Sequence, residues 1–138
     1  MQESMSFPNE SSPLRSVVAV VGGYIVAFLL VALTFNTLAF LVPDVFSPNA
    51  QVQPPMGWFI LTYVLSFVYA TIAGYVTAFI AQRREMFHAL ALAGFMFVLG
   101  VATTVSMTAP EHRLKEIAFT IVGVAGVWVG AHLRLLQK

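Results

Sequence analysis

Three histidines, one central asparagine and a scatter of hydroxyls are the groups in this 138-residue chain whose chemistry could reach beyond packing. Cysteine is absent, so thiolate metal sites, disulfides and thiol redox chemistry are out of reach. A metal centre needs several ligands converging on one point. His88, His112 and His132 are far apart in sequence. If the apolar stretches cross a membrane in turn, His112 falls on the side opposite the other two, so a His88–His132 pair is the most that could form. Glu111-His112-Arg113-Leu114-Lys115-Glu116 has one histidine four residues before a glutamate, which suits a surface pair on a helix. A zinc protease would need two histidines around the glutamate. The six methionines are scattered and read as core filler.

Charged groups inside a membrane mark ion paths and proton relays. None lies in the long apolar runs of this chain, so proton-coupled transport and intramembrane catalysis lack their usual groups. Asn36, flanked by Thr34 and Thr37, is the strongest polar candidate, because an amide in an apolar setting needs a partner. It reads first as a local hydrogen bond near the interface, and second as a substrate contact or an interhelix clamp. Thr62, Thr71, Thr77, Thr103, Thr104, Ser106 and Thr120 can return their hydroxyls to carbonyls one turn back. The sequence therefore leads us to expect no catalytic residue, no cofactor and no metal.

The elements that carry these groups follow from composition. Apolar residues make up 59% of the chain and charged ones 9%, with mean hydropathy +0.84. A soluble domain carries about 25% charged residues. The excess apolar surface must face lipid, which excludes a soluble enzyme, and the net charge of +1 gives no pull toward nucleic acid. Every charged side chain lies outside four runs, 16–42, 57–81, 87–109 and 117–133. A helix crossing a ~30 Å hydrocarbon core takes about 20 residues. A transmembrane barrel would need alternating segments of about ten residues, which are absent.

The expected fold is therefore all-α: an integral membrane four-helix bundle of up-down topology. A polar tail (1–15) precedes one membrane domain (16–138), with spans at 16–42, 57–81, 87–109 and 117–136. The first run is about twice the usual 7–15-residue core of a signal peptide, so it reads as a retained helix. Pro43-Asp44 and Pro54-Pro55 bound a first loop, Gln82 to Glu85 forms a short polar turn, and Pro110 opens a charged turn reaching Glu116. Arg15, Arg83, Arg84, Arg134 and Lys138 then share one side, against Arg113 and Lys115 on the other. The positive-inside rule places both termini in the cytoplasm and makes those five residues headgroup anchors in a cell inner membrane.

Helices in lipid associate by close approach at small residues. Ser66, Ala70, Gly74 and Ala78 form such a stripe in the second run, Ala89 and Ala93 in the third, and Gly123, Gly126 and Gly130 in the fourth. Packing within the bundle is the first reading of these faces, and packing between copies the second.

The segment from Gly74 to Gly94 reads Gly-Tyr-x-x-Ala-x-Ile-Ala-x-Arg-Arg-x-x-x-His-Ala-Leu-Ala-Leu-x-Gly. With the Gly-Ala-His-Leu-Arg ending at Arg134, it resembles small, uncharacterised bacterial four-helix integral membrane proteins. The resemblance implies a tight helical hairpin in a membrane and carries no activity. The expected role is a non-enzymatic accessory, assembly or scaffold subunit. The alternative is an oligomeric transport or permeation component for a neutral or lipid-like substrate. The expected partners are the lipid bilayer and, through the small faces, a second copy or a larger membrane complex.

Overall fold

The computed structural model describes residues 13–46, 55–107 and 113–137, and among them every regular element is helical. The order is α1 (Pro13–Leu41), α2 (Pro43–Phe46), α3 (Met56–Ala81), α4 (Glu85–Met107) and α5 (Arg113–Leu135). All but α2 are long and apolar enough to cross a membrane.

The helix boundaries depart from the apolar runs for local reasons. Pro13 opens α1, a position where its missing N–H costs nothing, so the helix takes in Leu14 and Arg15 from the expected tail. Pro43 ends it, as expected, and then starts a single turn, α2, instead of a plain loop. The N–H groups of Val45 and Phe46 donate to the Val42 carbonyl at 3.2 and 3.1 Å. The Phe46 ring meets Phe35 of α1 and Trp58 of α3 edge-on, at 6.2 and 5.1 Å. The remainder of the expected first loop (47–54), the turn at 108–112 with Pro110, Glu111 and His112, and the anchor Lys138 lie outside the described residues.

Between α3 and α4 the turn is shorter than expected. Gln82 caps α3 in the left-handed region (φ 56°), its N–H reaching the Ala78 carbonyl, and Arg84 follows at φ 48°. Non-glycine residues there cost roughly 1–2 kcal/mol each. Glu85 does not belong to this polar turn. It opens α4, where the helix dipole favours an acid, and only 3% of its surface is exposed. α5 likewise starts at Arg113, ahead of the expected 117, and takes Lys115 and Glu116 into its first turn.

Inside, the bundle is small; outside, it is large. The buried core holds Ala19, Ala27, Ala70, Ala73, Ala78, Ala89, Ala93 and Ala131, with Leu92 and Val127 its largest fully buried apolar members. Phe28, Leu33, Ile60, Phe79, Leu90, Val98, Ile121 and Trp128 face outward. That inversion fits a lipid solvent, in which large apolar side chains gain nothing by turning in. α3 is the central element and packs on each of the other long helices.

Glycines set the closest approaches. A Cβ on Gly74 would overlap the Val127 carbonyl of α5, and one on Gly130 the Thr71 carbonyl of α3. On Gly126 it would stand 2.6 Å from the Phe67 carbonyl. Gly23 of α1 meets the Thr77 hydroxyl of α3 in the same way.

Candidate functional site

Three polar regions remain once the core is packed. The first gathers the start of α1, the end of α3, the start of α4 and the end of α5. Arg15 donates through Nε to the Ile80 carbonyl at 2.9 Å. His88, buried at 5% exposure, holds the Arg84 carbonyl with Nδ1 at 3.0 Å and the Ser16 hydroxyl with Nε2 at 2.9 Å. A carbonyl only accepts, so Nδ1 carries the hydrogen; in the neutral ring Nε2 then accepts from Ser16. The Tyr75 hydroxyl reaches Gln137 Oε1 at 2.7 Å, and the Arg134 guanidinium lies 5.0 Å from the centre of the Phe79 ring. His132 stacks on Trp128 at 5.6 Å. Arg83 and Arg84 are exposed.

The second region ties α1, α3 and α5 together at single points. Thr34 Oγ1 and the Tyr69 hydroxyl share a 2.6 Å hydrogen bond between α1 and α3. Tyr63 donates to the Lys115 carbonyl at 2.7 Å, while the Lys115 ammonium sits 5.1 Å from the Phe59 ring centre. Asn36 does not take part: it is exposed, and its Nδ2 donates to Ala32, one turn back, at 2.6 Å. Thr37 does the same with Leu33. The bond that crosses between helices therefore belongs to Thr34, two residues before the amide that drew attention.

The third region is a cavity of about 450 Å³ between α3, α4 and α5. Its wall is Ser66 from α3, Met96, Gly100, Thr103 and Thr104 from α4, and Glu116, Phe119, Thr120 and Gly123 from α5. Two glycines shape this wall in different ways. Gly123 presents no side chain toward Ser66, whose Oγ would be 3.9 Å from a Cβ there, and Gly100 lets Thr120 approach α4. Glu116, Thr120 and Gly123 stand at i, i+4 and i+7, on one face of α5. Glu116 is exposed at the rim, and Thr104 is buried at 4% exposure. The Phe119 ring is fixed by an edge contact with Tyr63 at 5.6 Å. Ligand cavities typically measure about 300–1,000 Å³, so this space is large enough to hold a small molecule or part of a lipid.

The expected packing residues are brought together inside one chain. Ala70, Gly74, Ala78, Ala89, Ala93, Gly123, Gly126 and Gly130 are all buried, and Ser66 is half-buried at the cavity. Sequence reasoning missed Gly23, the burial of Glu85, and the cavity itself. The cavity had a readable signal: Glu116, Thr120 and Gly123 fall on one face, opposite a Gly100-x-x-Thr103-Thr104 notch. The chain matches no protein-family model, no curated protein and no solved structure.

Proposed function

We propose that this chain is a multi-pass protein of the cell inner (plasma) membrane that acts without catalysis and holds a small lipid-like molecule between three of its four spans. The observation that carries this reading is the cavity walled by Ser66, Thr103, Thr104, Glu116 and Thr120, which combines polar wall groups with an otherwise apolar helix bundle. An oligomeric transport or permeation component would use such a space. An up-down topology is supported by the contacts of Arg15 with Ile80, Ser16 with His88 and Tyr75 with Gln137. Cytoplasmic termini are supported by the basic residues at that end. The likeness of the Gly74–Gly94 hairpin to small bacterial four-helix membrane proteins points to the same setting.

A second reading, an accessory, assembly or scaffold subunit, is favoured by the outer face of α4. Gly94 is exposed there, beside exposed Leu90, Ala91 and Val98, and a Cβ on it would meet nothing within 4 Å.

Photolabelling in lipid nanodiscs tests the first reading. An alkyl alcohol carrying a diazirine is expected to label α4 and α5 peptides around 96–104 and 116–123. Gly123→Leu fills the cavity and should cut that labelling about tenfold, a loss of ~1.4 kcal/mol in binding. Labelling spread evenly over all lipid-facing peptides, unchanged by the substitution, would overturn it. A homo-oligomer in mild detergent that Gly94→Leu dissolves would favour the second reading.

A further inference from the structure

The α3–α4–α5 cavity wall carries the hydroxyls of Ser66, Thr103, Thr104 and Thr120, and the three threonines offer mainly acceptors. Thr104 donates its hydroxyl hydrogen to the Gly100 carbonyl at 2.8 Å, and Thr120 donates to the Glu116 carbonyl at 3.0 Å. Thr103 donates to the carbonyls of Leu99 and Gly100. A hydroxyl has one hydrogen and two lone pairs, so each of these threonines has committed its donor and keeps acceptor capacity. Glu116 adds a carboxylate at the rim, and among the described residues no lysine, arginine or histidine lines the cavity. Of the described cations at the start of α5, the Lys115 ammonium lies over Phe59 and Arg113 donates to the Val105 carbonyl at 3.2 Å.

We propose that the cavity takes a primary ammonium group attached to an apolar body. Such a group brings three N–H donors and a positive charge to three threonine hydroxyls with committed donors, the Ser66 hydroxyl and one carboxylate. Charge-assisted hydrogen bonds of this kind are roughly twice as strong as neutral ones. An anionic headgroup would meet the carboxylate and, among the described lining residues, no cation. A quaternary ammonium would satisfy the charge but leave the hydroxyl acceptors without donors. The apolar body follows from the rest of the site, since Met96, Phe119 and the two glycines offer nothing polar below the rim. An ethanolamine lipid headgroup and a free amphipathic amine share this chemistry.

This inference rests on the ligand-holding reading, and one experiment separates the two. The protein in phosphatidylcholine nanodiscs is photolabelled with three alkyl diazirine probes of equal chain length, ending in a primary amine, an alcohol or a trimethylammonium. Labelling of the 96–104 and 116–123 peptides is normalised to that of α1. The amine is expected to exceed both other probes about tenfold, and Glu116→Gln should abolish that preference. Thr120→Val, which keeps the side-chain shape, should reduce it severalfold while the helical circular dichroism stays unchanged. Equal labelling by all three probes, or a preference that survives Glu116→Gln, overturns the ammonium assignment and leaves the cavity a ligand site. No enrichment of any probe at these peptides overturns the ligand-holding reading itself. Given the amine preference, its suppression by added phosphatidylethanolamine assigns the lipid headgroup as the source. No suppression assigns a free amine, and either result supports ammonium recognition.

Discussion

Glycine positions divide into those that permit the fold and those that merely occur in it. Gly74 and Gly130 sit where any Cβ would strike a carbonyl of the facing helix, so even alanine forces α3 and α5 apart. Overpacking of this kind costs about 1–3 kcal/mol. Gly94 has open space around it, and alanine there should stabilise the helix by up to ~1 kcal/mol through propensity. Denaturant titration in detergent micelles should therefore show Gly74→Ala and Gly130→Ala unfolding earlier and Gly94→Ala unfolding no earlier than the parent. An equal loss at all three would contradict the close contact. Spacing alone revealed the α3 and α5 stripes, because small residues repeat at three and four on a helix face. Spacing could not show that Gly23 plugs against Thr77, since that depends on how α1 is rotated. It also singled out Asn36 by residue type, although rotation of α1 leaves that amide outward and sends Thr34 inward.

Elements are joined here by few but specific polar ties, and one of them links α1 to α4 beside the Tyr24–Phe95 ring contact. Ser16 and His88 meet at 2.9 Å in a largely buried setting, and the other imidazole nitrogen is anchored on Arg84. Interhelical hydrogen bonds in membrane proteins average about 0.6 kcal/mol and reach ~1.7 kcal/mol in double-mutant cycles. A cycle built from Ser16→Ala and His88→Phe should give a coupling in that range, toward its upper part because both ring nitrogens are engaged. A coupling indistinguishable from zero would show that this bond adds nothing to the packing of α1 on α4. The sequence displayed His88 at the mouth of its helix and a turn of polar residues beside it. It could not display the partner, which lies in another helix entirely. Nor could composition reveal that Glu85 turns inward, because the helix register, and not residue type, decides which part of Gln82–Glu85 leaves water.

At the scale of the molecule, the placement of charge organises everything else. The basic residues near the α3–α4 turn and the helix ends beside it predict a fixed orientation. The absence of native cysteine makes that easy to measure. Arg83→Cys should react in intact cells only with a membrane-permeant maleimide. Leu114→Cys, 81% exposed at the opposite end, should also react with an impermeant one. The reverse pattern would invert the topology. Whole-chain composition made the lipid setting and the helical class legible, since four charge-free runs leave few alternatives. The cavity was harder to see because it is assembled from three helices, none of which is unusual by itself. The polar ties also carry a consequence for synthesis. Ser16 and His88 are 72 residues apart, and Arg15 reaches across 65 residues to Ile80. At about 5–20 residues per second, those 72 residues take roughly 4–14 s to make. In the proposed membrane setting α1 spends most of that interval before α3 is complete, its Gly23 notch open until Thr77 has been made. Its charge-free run, 16–42, is the longest of the four and suits a segment that has to wait for its neighbours.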